Sequence, residues 1–181
     1  MAPPGSLLAS NPPGFELRSA APYSERQVRT VQAGRSPMTT IARLLESKGH
    51  DIWSIPPDAS VYQAIELMAE KGVGALPVVE GEKLVGIVSE RDYARKVILK
   101  GKTSRETPVR DIMTDQVFYV RPEQTVDECM ALMTAKRIRH LPVLVDDRLV
   151  GIVSIGDLVK SVISEKDVLI QQLESYITGK Y

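Results

Sequence analysis

Two stretches of the chain, residues 55–98 and 120–163, carry the same order of apolar and polar positions. In each stretch, apolar residues first recur at helical spacing. Two short β-branched runs with a polar turn between them follow, and then a second helical pattern. The stretches align without a gap, and 17 of the 44 aligned pairs are identical. This match indicates an internal duplication, with each unit predicted to be β-α-β-β-α.

The first helix of each unit is predicted from a cap and an apolar stripe. Ser60 and Thr125 follow proline turns, and their hydroxyls can accept the free N–H groups of a first helical turn. The helices are predicted to end at Gly72 and Arg137. The stripes that would face the core are Val61, Ala64, Ile65, Met68 and Ala69 in the first unit, and Val126, Cys129, Met130 and Met133 in the second.

A β-hairpin and a second helix follow in each unit. The runs "ALPVV" and "LVGIV" flank a polar turn in the first unit, and "HLPVLV" and "LVGIV" do so in the second. Ser89 and Ser154 then open the second helices. The segments before the units, "TTIARLLESK" and "TPVRDIMTDQ", are both predicted to be short amphipathic helices.

The predicted fold class is α/β (α+β), with two β-α-β-β-α repeats packed through their sheets in pseudo-twofold symmetry, because one unit alone buries too little surface. Residues 38–105 would form the first repeat with its preceding helix, and 106–164 the second. Residues 165–181 would form a C-terminal amphipathic helix, which needs a partner surface on its own module or across a dimer. Residues 1–37 hold six prolines and no apolar periodicity, which favours a disordered leader or an N-terminal extension.

Composition excludes several classes of protein. Lys and Arg balance Asp and Glu over the 181 residues, so no overall charge draws the chain to nucleic acid or a membrane. Cys129 is the single cysteine, which excludes an internal disulfide. No apolar run approaches the roughly 20 residues that span a bilayer. A cytoplasmic location is expected, with a mitochondrial one as the alternative if residues 1–37 are a transit segment.

The repeated motif is "GIVSERD" at 86–92 and "GIVSIGD" at 151–157. Ser-x-x-Asp at the start of a helix is a common capping pattern, and that reading alone would explain it. The same free N–H groups also suit a phosphate, and a carboxylate one turn later suits the vicinal hydroxyls of a ribose. The residues leave both readings open.

The tandem "ALPVV…LVGIVSERD" and "HLPVLV…LVGIVSIGD" units, each preceded by a "DIMT"-type segment, resemble a pair of cystathionine-β-synthase (CBS) domains over about residues 40–165. The pattern is similar to stand-alone two-CBS-domain proteins of bacteria and plant organelles. The resemblance implies adenosine-containing ligands such as AMP, ADP, ATP or NAD(H), with no other cofactor. It also implies a homodimer and regulation of a partner protein rather than catalysis.

The resemblance also implies residue roles. Asp92 and Asp157 would hold ribose diols, with Ser89 and Ser154 beside the ribose or phosphate. The other residues expected at the clefts are Gly74, Ala75, Ile87, Arg91, Arg139, His140 and Ile152. The two copies differ at most of these positions, so the clefts are expected to be unequal. Trp53 is expected to stack on adenine or to fill a dimer interface.

Two other functions compete with this reading. A nucleotide-processing enzyme is disfavoured because no P-loop, metal-ligand cluster or Ser-His-Asp set is evident. A nucleic-acid binder could use the basic residues between 95 and 105, although no aromatic residues are interleaved with them.

Overall fold

The computed structural model describes residues 39–49 and 51–178; the predicted leader at 1–37 lies outside the described residues. In chain order the elements are α1 (Ile41–Lys48), α2 (Val61–Lys71), β1 (Ala75–Glu80), β2 (Lys83–Ser89), α3 (Glu90–Lys96), α4 (Val126–Lys136), β3 (His140–Val145), β4 (Arg148–Ser154) and α5 (Ile155–Thr178). Single 3-10 turns lie at Ile98–Lys100 and Val109–Asp111. The predicted duplication is therefore present in the structure.

The N-caps predicted at Ser60 and Thr125 are confirmed, and the structure shows that each is part of a capping box. The Ser60 hydroxyl accepts from the Gln63 N–H at 3.2 Å, and the Gln63 side chain accepts from the Ser60 N–H at 2.9 Å. Thr125 and Glu128 exchange the same two bonds at 3.2 and 3.0 Å. These bonds satisfy N–H groups that a helix start leaves free, so each unit has a defined first turn.

The two predicted hairpins form one four-stranded sheet in the order β1-β2-β4-β3. Within each hairpin the strands pair antiparallel, with Pro77 opposite Ile87 and Pro142 opposite Ile152. Strands β2 and β4 meet only at Lys83 and Arg148. The strand order therefore relates the two hairpins by pseudo-twofold symmetry, and they are joined in the sheet through this one bridge.

The strand predicted at the start of each unit is present as only one paired residue. Ile55 forms a parallel bridge to Val78, and Val120 forms one to Val143. Proline follows at 56 and 57 in the first unit and at 122 in the second. Proline has no N–H to donate to a sheet ladder, so pairing cannot continue.

The helix predicted over "TPVRDIMTDQ" is wrong, because that segment contains only the 3-10 turn Val109–Asp111. The N–H groups of Val109 and Arg110 donate to the carbonyls of Ala59 and Pro57 in the first unit. Beyond the turn, Thr114 pairs with Ile87 on β2 in both directions, at 2.8 and 3.0 Å. Bonds to the other unit thus replace the bonds that a helix would make within itself.

No break separates a C-terminal helix from the second unit. The predicted boundary between 164 and 165 falls inside α5, which runs without interruption from Ile155 to Thr178. After Gly156 the helix contains neither glycine nor proline, so nothing in the backbone ends it there. Residues 179–181 lie outside the described residues.

The segment before each unit packs into the core of the other unit. Helix α1 precedes the first unit, but Ile41, Leu44 and Leu45 are buried against residues of the second unit such as Val126 and Leu141. In the same way, Val109 and Ile112 precede the second unit but are buried in the first core, which otherwise consists of Ile55, Val61, Ala64, Met68, Leu76, Val78, Val88 and Val97. This exchange joins the two units into one body.

Glycines on the strands make this exchange possible. A Cβ atom on Gly86 would lie 2.6 Å from the Met113 sulfur, and one on Gly151 would lie 2.8 Å from the methyl carbons of Leu45. Any larger side chain there would displace the segment that crosses over the strand. The repeated glycine of the motif therefore serves packing in both units.

We expect Ile41→Ala to destabilise the protein by roughly 2–5 kcal/mol, because it leaves a cavity at a fully buried crossing residue. Urea denaturation measures the change, and hydrogen exchange should show the first loss of protection in β3 and β4, although residue 41 precedes the first unit. Leu99→Ala, at a side chain that is 77% exposed, is the control. Early loss in β1 and β2 instead would contradict the exchanged packing.

Candidate functional site

A cavity of about 300 Å³ opens between the two units. The first unit lines it with Gly74, Ala75, Ile87, Ser89, Glu90, Arg91 and Asp92. The crossing segment adds Thr114, Gln116, Val117 and Phe118, and the start of the second hairpin adds Arg137, Ile138, Arg139 and His140. We call this space the Asp92 cavity. Since both units supply its walls, a bound molecule would contact both.

Ser89 and Asp92 form a capping box at the start of α3. Asp92 Oδ2 accepts from the Ser89 hydroxyl at 2.6 Å and from the Ser89 N–H at 3.1 Å, and the Asp92 N–H donates back to the hydroxyl at 3.3 Å. The other oxygen, Oδ1, pairs with Lys96 Nζ at 2.8 Å. The carboxylate is thus held at the cavity wall by its own helix start.

The remaining wall combines apolar and cationic side chains. Ile87, Val117, Phe118 and Ile138 supply apolar surface, and the Lys136 ammonium lies 4.9 Å from the centre of the Phe118 ring. Arg91, Arg137 and Arg139 also line the cavity, so three basic residues stand against the two acidic residues Glu90 and Asp92. The Arg91 guanidinium also donates to the Arg137 carbonyl at 3.3 Å, which links the two units across the cavity.

His140 lies at the start of β3, close to Gly74 of the first unit. Its ring atoms lie 3.6–3.7 Å from the position that a Cβ on Gly74 would take. Burial lowers the pKa of His140 below its usual value; Asp157 opposes this, while Lys48, Arg139 and Arg91 add to it. The imidazole is therefore predominantly neutral at pH 7 and can donate or accept a hydrogen bond.

The structure brings eight of the eleven expected site residues to one cavity. These are Gly74, Ala75, Ile87, Ser89, Arg91, Asp92, Arg139 and His140. The other three, Ile152, Ser154 and Asp157, do not line it. The sequence analysis did not predict Arg137 and Phe118 as cavity residues, although the alignment of the two repeats marks both. Arg137 aligns with Gly72, which ends the corresponding helix of the first unit, and Phe118 aligns with Trp53.

Asp157 has the same capping box but a different neighbour. Its Oδ2 accepts from the Ser154 N–H and hydroxyl, both at 2.8 Å, and from Lys48 Nζ at 2.6 Å. Burial alone would raise the pKa of Asp157, but the hydrogen bonds from Lys48 and Ser154 outweigh burial and hold that pKa below its usual value. Lys48 comes from α1, so the crossing segment reaches this carboxylate directly.

Trp53 and the basic run have partners within the chain. The Lys71 ammonium lies 4.3 Å from the centre of the Trp53 ring, mirroring Lys136 and Phe118, and Trp53 does not line the Asp92 cavity. Arg105 stacks on Tyr62 at 3.9 Å, and Lys96 binds Asp92 and the Ile112 carbonyl. Because these cationic side chains are engaged within the chain, they are less available to bind the phosphates of a nucleic acid.

Few groups of the described residues suit catalysis. Burial, helped by Glu128, raises the pKa of Cys129 to about 12, and the side chain is fully buried, so it is not a nucleophile at neutral pH. Within residues 39–49 and 51–178, no three His, Cys, Asp or Glu side chains are placed to hold a metal ion. No helix of this part of the chain is long and apolar enough to cross a membrane.

Two β-α-β-β-α units joined through one sheet, with a cavity between them that begins at a Ser-x-x-Asp cap, define a tandem ligand-binding module. The family model for the CBS domain matches twice, at residues 36–98 and 109–164. The chain therefore belongs to the CBS-domain family.

Relatives match most of the chain. The mitochondrial CBS domain-containing protein CBSX3 of Arabidopsis thaliana is 44% identical, covering 79% of this chain and 74% of that protein. A solved CBS-domain structure from Burkholderia ambifaria, described as a putative signal-transduction protein, is 56% identical with a TM-score of 0.68, covering 70% of this chain and 95% of that one. An inosine-5'-monophosphate dehydrogenase of Methanocaldococcus jannaschii is 33% identical, but the match covers only 25% of the enzyme.

The backbone of Arg137 is strained beside the cavity. Arg137 ends α4 in the left-handed conformation with φ of 54°, where the first unit has Gly72 at 64°. A side chain costs free energy in that conformation and glycine does not. The second unit thus carries a guanidinium at the cavity in place of the residue that fits the backbone best.

We expect Arg137→Gly to raise the free energy of unfolding by about 0.5–1 kcal/mol, because relief of the left-handed conformation outweighs the greater entropy of the unfolded glycine. Arg137→Ala keeps the Cβ atom and is the control, with no comparable gain. Urea denaturation of the two variants measures the difference. Equal stability of both variants would mean that the backbone strain is negligible.

Proposed function

We propose that this protein is a regulatory module that binds an adenine nucleotide in the Asp92 cavity and acts on a partner protein rather than catalysing a reaction. The observation that carries the proposal is the convergence of a ribose-type acceptor, an apolar wall and three arginines on one cavity. A carboxylate suits a diol, an apolar wall with Phe118 suits a base, and guanidinium groups suit phosphate oxygens.

The charges of the cavity favour a ligand with several phosphates. Asp92 is already paired with Lys96, so Arg91, Arg137 and Arg139 leave an excess of positive charge. ATP and ADP should therefore bind more tightly than AMP, and the cation S-adenosylmethionine should bind most weakly.

Binding at this place can act on the whole module. The cavity is walled by the first unit at Gly74–Ala75 and by the second at Arg139–His140, so a ligand links the two hairpins. The hairpins themselves share only the Lys83–Arg148 bridge. A ligand that binds one spacing of the hairpins better than another shifts the protein toward that spacing. A partner protein that binds one spacing of the hairpins better than another would respond to the nucleotide.

Isothermal titration calorimetry with AMP, ADP, ATP, NAD, NADH and S-adenosylmethionine tests the proposal. Asp92→Asn should weaken binding by about 10- to 100-fold, because it removes a charged acceptor of the ribose hydroxyls. Arg137→Gly should weaken ATP more than AMP. Asp157→Asn is the matched control and should leave binding unchanged. If no adenine nucleotide releases heat, or if purified protein turns the nucleotide over, the proposal is wrong.

We further propose that α5 pairs with α5 of a second copy. Its apolar side chains beyond the second core are exposed, from 41% at Val159 to 81% at Ile177. Val159, Ile163, Ile170, Leu173 and Ile177 follow one another at spacings of four, seven, three and four, which is the pattern of a helix that packs along another helix with Lys166 at its one polar position. Most of the stability of a helix in a protein comes from packing of its apolar face, so this exposed face needs a covering surface. The same face on a second copy would cover it symmetrically.

Light scattering should find a dimer for the wild type and a monomer for the double variant Ile170→Glu/Leu173→Glu, because two charges cannot be buried in the helix pair. Gln171→Glu/Gln172→Glu adds the same charge on the opposite face and should remain dimeric. A wild-type monomer at micromolar concentration would contradict the dimer without affecting the nucleotide proposal.

The mitochondrial name of the Arabidopsis relative supports the alternative hypothesis that residues 1–37 are a transit segment.

A further inference from the structure

The second Ser-x-x-Asp motif is occupied by a side chain of the protein itself. Lys48 Nζ lies 2.6 Å from Asp157 Oδ2 and 3.0 Å from the Ile152 carbonyl oxygen. Two donors of Ser154 bind the same Oδ2. A carboxylate oxygen has about two lone-pair directions, so three donors leave Oδ2 no capacity for a ribose hydroxyl. A ligand that bound a diol through both oxygens of Asp157 would first have to displace Lys48.

The corresponding ion pair at Asp92 is built from one helix. Lys96 belongs to the same helix as Asp92, binds the other oxygen Oδ1, and also donates to the Ile112 carbonyl at 2.6 Å; the Lys96 and Asp92 side chains are 42% and 18% exposed. Lys48 comes from a separate element, and its side chain and that of Asp157 are 35% and 24% exposed. The Lys48 pair therefore joins α1 to the second motif through the same oxygen that the cap uses, whereas Lys96 leaves that oxygen of Asp92 to the cap alone.

The path of the crossing segments explains why only one motif is occupied. Leu45 covers Gly151 as Met113 covers Gly86. After Met113 the chain extends, and the Thr114 N–H donates to the Ile87 carbonyl at 2.8 Å. After Leu45 the helix α1 continues to Lys48, whose ammonium donates to Ile152, the equivalent carbonyl. The Lys48 ammonium thus replaces the backbone N–H donor that Thr114 provides in the first unit, and it binds the Asp157 carboxylate as well.

We propose that Lys48 is an internal cation that occupies a second adenosine site at Asp157, so that the chain binds one nucleotide at the Asp92 cavity while the second site stays closed. This inference rests on the proposed nucleotide binding at Asp92. Lys48 acts as the residue that determines how many ligands the module takes. Its withdrawal frees the diol acceptor of the second motif.

Calorimetry with AMP on the full chain tests this directly. Wild type should bind one AMP per chain. Lys48→Gln removes the ammonium and should bind two, with the second site strengthened at least about tenfold because two charge-assisted bonds no longer compete. Adding Asp157→Asn to Lys48→Gln should restore a stoichiometry of one. Lys160→Gln, which removes an exposed positive charge on α5 near Asp157, is the control and should stay at one.

The outcomes separate this inference from the proposed function. If wild type and Lys48→Gln both bind one AMP, or if Asp157→Asn abolishes wild-type binding, Lys48 does not close a second site and the inference is wrong. If AMP binds only to Lys48→Gln and depends on Asp157, the Asp92 proposal fails, and of the inference only the closure of the second site by Lys48 stands. If neither variant binds AMP at all, both are wrong.

Proton NMR of His140 supplies a readout without ligand. Lys48 lowers the pKa of His140 and Asp157 raises it. Removal of the Lys48 charge should therefore raise the pKa of His140, and Asp157→Asn should lower it. Lys160→Gln should leave it unchanged. An unchanged His140 pKa in Lys48→Gln would mean that the ammonium does not lie at Asp157 in solution, which overturns the inference even if the variant folds normally.

Discussion

The exchange of crossing segments between the two cores is the constraint on which the rest of the structure depends. Ile41 of α1 completes the core of the second unit, and Val109 and Ile112 complete the core of the first. Neither core is whole without a segment that precedes the other unit. The sheet alone could not hold the units together, because β2 and β4 meet at a single bridge. The exchange therefore sets the spacing of the hairpins, and the same segment supplies Val117 and Phe118 to the cavity wall.

The helix caps and the candidate binding site use the same atoms. At Asp92 the capping bonds take Oδ2, and an i,i+4 lysine takes Oδ1. A ligand that uses Oδ1 has to displace Lys96, which also donates to the Ile112 carbonyl at 2.6 Å. The cap keeps the carboxylate in position whether or not a ligand is bound. Capping and binding are therefore compatible at Asp92.

Duplication has left two motifs with one geometry and different neighbours. The first faces three arginines, one of them held in a backbone conformation better suited to glycine. The second faces Lys48 from α1. Part of the difference lies within the motif, where Arg91 aligns with Gly156, and part lies in segments that approach the motif from elsewhere in the chain.

The sequence by itself determined the repeats, the caps at Ser60 and Thr125, the hairpins and the family. Those features follow from local spacing and turn chemistry, which a repeat displays twice. Most of the residues that meet at the Asp92 cavity were also evident, since the motif and the start of each hairpin mark them. The ribose and phosphate roles of these residues stay predictions.

Tertiary structure alone decided three things: the exchange of the crossing segments, the loss of the helix predicted at 107–116, and the pairing of Lys48 with Asp157. Each depends on contacts between residues more than 40 positions apart, such as Val109 with Ala59 and Lys48 with Asp157. Local pattern carries no information about which unit a crossing segment will pack on. The physical reason is that a short amphipathic segment is equally satisfied by either core, and only the assembled fold selects one.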